Sequence, residues 1–118
     1  MINGRLVVET RPDTIFPHIR KTETLWERTR GLLGCKDLPE GHGLLICPCN
    51  SIHTFFMKIS LDVVFLNREN IITGLRQNMK PQRFSISPAA ASVLELRVGQ
   101  IDVAGLQNGE QLLWEGLP

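Results

Sequence analysis

The sequence predicts a mainly-β (α+β), single-domain protein. The expected architecture is an antiparallel β-sandwich or open barrel, with one capped helix near residues 25–33 and one or two short helical turns. Three observations lead there. Short β-branched and aliphatic runs recur about eight times, separated by Gly, Pro, Asn or Asp breakers. Only one stretch changes clearly to helical spacing. The helices that a doubly wound parallel sheet needs between its strands are missing.

The elements follow in order. Leu6, Val7 and Val8 lie in a first strand that Pro12-Asp13 closes as a turn. Ile15 to Ile19 reads as the returning strand, with Pro17 confining it to an edge or a bulge because proline cannot donate to the ladder. Thr24-Leu25-Trp26-Glu27 has the capping-box pattern, in which the Thr hydroxyl and the Glu carboxylate each satisfy an orphan backbone N–H. Leu25, Thr29, Leu32 and Leu33 continue it at helical spacing, and Gly34 suits the left-handed position just past the end. From Gly43 onward strand follows strand: Leu44-Leu45-Ile46, then 52–57, then the apolar run 61–66 interrupted by Asp62. Arg68-Glu69-Asn70 connects that run to Ile71-Ile72-Thr73 as a hairpin. Residues 79–87, with Pro81, read as an exposed crossing, and Ala89-Ala90-Ala91 as one helical turn. Residues 93–98 alternate and end at Gly99, 101–106 form a short helical turn, and Asn108-Gly109 introduces a last strand over 111–114.

Composition excludes several classes of function. With 13 Lys+Arg against 12 Asp+Glu, the formal charge of +1 gives no electrostatic case for a general nucleic-acid or acidic-membrane binder. No apolar run approaches the roughly 20 residues that span a bilayer. The first residues lack a basic and then apolar leader, so the expectation is a cytoplasmic protein. The three cysteines, Cys35, Cys47 and Cys49, are odd in number and read as reduced thiols.

Chemistry concentrates between Cys35 and Lys58. Cys47, Cys49 and His53 are weak candidates for Zn²⁺, which favours thiolate and imidazole, but no C-x₂-C pair is present. The plainer reading makes the cysteines small buried hydrophobes. Cys49 and His53 would form a nucleophile pair only if Asn50-Ser51 turned the chain, since four residues of straight strand span roughly 13 Å. Asp62 interrupts a buried run, so its carboxylate must find a cation or several N–H donors. Lys58 is the nearest cation in sequence, and Arg28 and His53 are others the fold could deliver. The structural alternative for Asp62 is an internal ion pair or hydrogen-bonded corner. Glu95 poses the same question, although alternation could turn it outward with Arg97. No nucleophile elbow, phosphate loop, zincin or EF-hand pattern occurs.

The residues assembled this way resemble a known group. Residues 27–34 (ERTRGLLG), Gly43-Leu44-Leu45, Phe55-Phe56-Met57-Lys58, 61–66 (LDVVFL), Val93-Leu94-Glu95-Leu96 with Gly99, and Asn108-Gly109-Glu110 stand in the order seen in the prokaryotic family called domain of unknown function 192. Cys49-Asn50-Ser51-Ile52-His53-Thr54 resembles a signature of one branch. The resemblance implies a mostly β domain with no established activity, and it puts Arg28, Gly31, Lys58, Asp62 and Glu95 on the family's motif positions.

The expectation from sequence is therefore an uncharacterized, non-enzymatic binding module for a small ligand or protein partner, with no catalytic residues and no cofactor. Its candidate ligand-binding residues are His53, Lys58, Asp62, Arg28 and Glu95. The alternatives are a small hydrolase or zinc-assisted enzyme using Cys49 and His53, and a purely structural or assembly component.

Overall fold

Strand β5 (Leu61–Leu66) is buried at all six of its positions, so it must be covered on both faces. The computed structural model, which describes residues 1–117, shows what covers it. Around β5 the chain forms β1 (Ile2–Val8), β2 (Arg11–Lys21), α1 (Leu25–Arg30), β3 (His42–Ile46), β4 (Ser51–His53), β6 (Ile72–Met79), β7 (Phe84–Ile86), β8 (Ser92–Arg97), α2 (Gln100–Ala104) and β9 (Leu112–Gly116). Seven strands build one sheet in the order β6-β5-β8-β3-β2-β1-β9, while β4 and β7 pair in a second, two-stranded sheet.

The large sheet is mixed. Its pairings are antiparallel except β2 with β3, which run parallel because α1 carries the chain across between them. The sheet curls until its two edges touch at one end. Ile71 bridges Gln111, the Ile72 N–H donates to Glu110 O at 2.8 Å, and the Leu112 N–H donates to Asn70 O at 2.9 Å. An open barrel results, without full closure. Alternation along each strand then sorts the side chains between two cores. Leu6, Phe16, Ile19, Leu45, Val64, Leu66, Leu94, Leu96 and Leu112 fill the inside with Ile101 of α2. Leu44, Ile46, Leu61, Val63, Phe65 and Val93 point outward, beneath Leu32, Ile52 and Met57. Burying each such aliphatic or aromatic side chain contributes about 1.5–3 kcal/mol, and it is this two-sided burial that makes 61–66 read as one greasy run.

Local expectations fare according to whether the rule behind them is local. The capping box forms: Thr24 Oγ1 accepts from the Glu27 N–H at 3.1 Å, and Glu27 Oε1 accepts from the Thr24 N–H at 3.2 Å. Pro17 sits where the β1–β2 register slips between Gly4 and Leu6, a bulge as expected. The helix, however, stops at Arg30, because Gly31 leaves it at φ 54°, ψ −132°. None of its residues is buried, so the expected apolar stripe does not serve as its packing face; Leu25 and Trp26 stand in solvent. Strand β4 ends at His53 instead of reaching residue 57, since the polar groups of Thr54 turn to the 80–83 loop. The supposed crossing at 79–87 contains β7, the partner that β4 requires. Residues 89–91 form no helix; a turn centred on Pro88-Ala89 is closed by the Ala90 N–H to Ser87 O.

Asp62 lies on the inner face and is 1% exposed. Among the described residues no cation answers it. Its Oδ1 accepts from the Asn78 N–H at 2.9 Å, and its Oδ2 from the N–H groups of Gly99 at 3.0 Å and Ile101 at 2.9 Å. Gly99 is the N-cap of α2 and has no side chain to cap with, so Asp62 does so from a neighbouring strand. The Asn78 N–H is free to join because β6 bulges between the partners of Leu61 and Val63. Among the described residues Lys58 forms no ion pair, and it is exposed. The expected Lys58–Asp62 pairing is thus replaced by a corner of backbone donors.

Asp62→Asn retains an acceptor for one side of this corner and turns an NH₂ toward donors on the other. Chemical denaturation should show it destabilised by about 2–4 kcal/mol with the far-ultraviolet spectrum retained.

Candidate functional site

Glu95 lies on β8 between Leu44 of β3 and Val63 of β5, facing the outer core. Alternation does separate it from Leu94 and Leu96, but the outer face at this point is covered, and Glu95 is only 2% exposed. The cover is the turn that follows α1. A Cβ at Gly31 would lie 3.2 Å from Glu95 Oε1, and at φ 54° that residue occupies a conformation L side chains rarely adopt. Glycine there lets backbone settle over the carboxyl. Among the described residues, Glu95 Oε1 is one of two buried side-chain polar atoms without a hydrogen-bond partner, the other being Ser92 Oγ on the inner face. Burial pushes the Glu95 carboxyl up to about 8, so it is neutral at pH 7 and holds a proton to offer.

The carboxyl belongs to a cleft of about 180 Å³ between α1 with its following turn and β4. Leu32, Ile46, Ile52 and Met57 give it apolar walls, and Phe55 contributes an aromatic edge. Arg28, Ser51, His53 and Cys49 supply the polar groups. Arg28 comes from the helix that the capping box starts, and Ser51 and His53 from the outward positions of β4, whose Ile52 points into the core.

Of the five candidate ligand-binding residues, Arg28, His53 and Glu95 therefore converge, while Lys58 and Asp62 stay outside. Cys49 joins the cleft but is not set up as a nucleophile. Burial pushes its thiol up; the contact with Ser51 O at 2.9 Å opposes this, the Glu95 carboxyl adds to it, and Arg28 opposes it. The His53 ring is stacked on Phe55, centroids 5.3 Å apart, and makes no hydrogen bond to Cys49 among the described residues. Cys47 lies outside the cleft; its backbone N–H donates to Thr22 Oγ1 at 3.2 Å. Among the described residues no three His, Cys, Asp or Glu side chains are grouped to hold a metal ion, and Cys47, Cys49 and His53 are not brought together as such a group. A second cleft, about 440 Å³, lies beside His18 and His42, whose rings are 4.5 Å apart. It is larger, but among the described residues no buried, unpartnered polar side-chain atom belongs to its lining. Sequence reading missed the cover role of Gly31; its signal was a glycine two residues before the expected helix end at residue 33, together with an acid in an alternating strand.

Fold and site together define a small, mainly β protein with an open-barrel sheet and an external cleft floored by a buried carboxyl. The chain belongs to the DUF192 family, described as "Uncharacterized ACR", whose model matches residues 7–114. It is 29% identical over 117 residues to a UPF0127 protein of Thermococcus sibiricus, covering 93% of this chain and 74% of that one. A UPF0127 protein of Thermococcus kodakarensis is 25% identical over 115 residues, covering 92% and 72%. Two solved structures share the fold. One is a protein of unknown function from Novosphingobium aromaticivorans, with TM-score 0.79, 18% identity and coverage of 94% of this chain and 84% of that one. The other is a putative transcription regulator from Sinorhizobium meliloti, with TM-score 0.81, 21% identity and coverage of 98% and 92%. The family is one of unknown function. No helix among the described residues is long and apolar enough to cross a membrane.

Two outcomes follow from the site. A buried acid raised to about 8 holds its proton more tightly in the folded chain than in the unfolded one, so ionisation of the unfolded chain progressively erodes stability between the two values. Its stabilising contribution is full below about pH 4.5 and is lost as pH rises toward 8, with a slope approaching about 1.4 kcal/mol per pH unit. Unfolding free energies of the wild type minus those of Glu95→Gln, taken across this window, should fall with pH and flatten above 8. Gly31→Ala should cost about 1–3 kcal/mol of stability in urea unfolding, through backbone strain and the carboxyl beneath it.

Proposed function

We propose that this protein is a non-enzymatic binding module whose site is the cleft beneath α1, taking a small molecule with an apolar body and a polar end. The observation that supports this reading is Glu95 Oε1, buried without a partner next to that cleft. A buried polar atom left unpaired costs about 1–3 kcal/mol, and a ligand that reaches it recovers part of that cost. Arg28 and His53 orient a polar group nearer the rim, while Leu32, Ile46, Ile52 and Met57 hold the apolar part. A catalytic reading has less support, because burial pushes the Cys49 thiol up and no base pairs with it among the described residues. The regulator role stated for the Sinorhizobium meliloti protein is not carried over, since 21% identity conveys fold alone. Three free cysteines favour a reducing, cytoplasmic setting as part of the same proposal.

Thermal unfolding with a panel of small amphiphilic acids, amides and amines tests the proposal. At least one class should raise Tm by about 4 °C at a few times its Kd in the wild type, and by much less in Glu95→Gln and Arg28→Ala. A panel that shifts none of the three, or all three alike, removes the cleft as the site.

A further inference from the structure

The formal charge of +1 conceals a local imbalance. No Asp or Glu occurs in residues 42–61 or 70–94, the two stretches that contain β4, β7 and the loops beside them. Thr54 ties these loops together. Its Oγ1 donates to Lys80 O at 2.6 Å and accepts from the Arg83 N–H at 2.8 Å, and its carbonyl accepts from the N–H groups of Gln82 and Met57. The Met57 bond closes a tight turn with Phe55 and Phe56 at its centre, and exposed Lys58, Lys80 and Arg83 gather around it.

The turn also presents apolar surface that the fold does not use. Phe56 is 84% exposed at φ 63°, the third position of a turn where glycine is preferred. A bulky residue held there adds backbone strain and wets an aromatic ring, so folding gives no reason for it. Phe84, across from His53, and Ile86, two residues along the same outer face of β7, are exposed as well; the Phe55 ring reaches them through its stack on His53.

We infer that this face docks on an anionic lipid surface. Phe55, Phe56, Phe84 and Ile86 enter the headgroup boundary, while Lys58, Lys80 and Arg83 meet acidic headgroups. A single-stranded nucleic acid is disfavoured because Ile86 offers no ring to stack on. Phe56, Phe84 and Ile86 line neither of the two clefts described above, so a peptide finds no groove there. Overall charge misses this surface because the compensating acids lie elsewhere on the chain.

The test is co-sedimentation of the full chain with vesicles of equal parts phosphatidylcholine and phosphatidylglycerol, against phosphatidylcholine alone. The wild type should sediment with the anionic vesicles only, less so as salt rises. Phe56→Gly should fold with an equal or higher Tm and lose at least about tenfold in vesicle affinity, and Lys58→Glu with Arg83→Glu should lose as much. The inference is overturned if the wild type ignores anionic vesicles at low salt, if it binds both vesicle types alike, or if Phe56→Gly binds unchanged. It is equally overturned if a single-stranded oligonucleotide is bound where vesicles are not.

Discussion

The carboxylate of Asp62 fixes how the inside of the sheet ends. Three backbone N–H groups from three separate places, Asn78 after the β6 bulge, Gly99 at the start of α2 and Ile101 within it, all point at two oxygens on β5. An ionised group so deeply enclosed is tolerable only because each oxygen is bonded. In return it gives α2 the cap its own glycine cannot supply and anchors Ile101 in the inner core. The curl that brings Ile71 to Gln111 follows from the same packing, since the inner side chains of every strand in the large sheet share one interior.

One strand away, Glu95 faces the opposite core, and its situation is reversed. Asp62 is paired across from Leu96 and Glu95 across from Val63, so the two acids are near in register but separated by the sheet. Asp62 meets converging donors; Glu95 meets apolar neighbours, and one oxygen has no partner. Burial therefore leaves the two in different states: a carboxylate saturated by backbone donors, and a carboxyl with an oxygen still open to a partner. Gly31 makes the second arrangement sterically possible by closing over Glu95 without a side chain of its own.

The outer layer shows a related division between average and local chemistry. Helix α1 is amphipathic in sequence yet buries none of its residues, while the two-stranded sheet over the outer core turns His53, Phe84 and Ile86 toward solvent, with Lys58, Lys80 and Arg83 in the adjoining loops. Ile52 and Met57 seal the core, and the residues alternating with them face out. Net charge and mean composition average over this geometry and lose it.

By itself the sequence determined what depends on neighbouring residues: the capping box at Thr24 and Glu27, the irregularity at Pro17, the continuous apolar run of β5, the alternation of β8, and the mainly β class with its β5–β6 hairpin. Breakers, caps and alternation act within a few residues, so one segment suffices to read them. The family motifs were legible for the same reason, and they marked Arg28, Gly31, Lys58, Asp62 and Glu95 before any geometry was known, without separating the cleft residues from Lys58 and Asp62. What only the tertiary structure decided were the partners. It matched Asp62 with backbone donors up to 39 residues away instead of with Lys58, and paired β4 with β7 across a stretch that looks like a crossing. It also ended α1 at Gly31 over Glu95. Each of these depends on which face of a curled, doubly covered sheet a residue meets, and that is set by packing between segments distant in the chain.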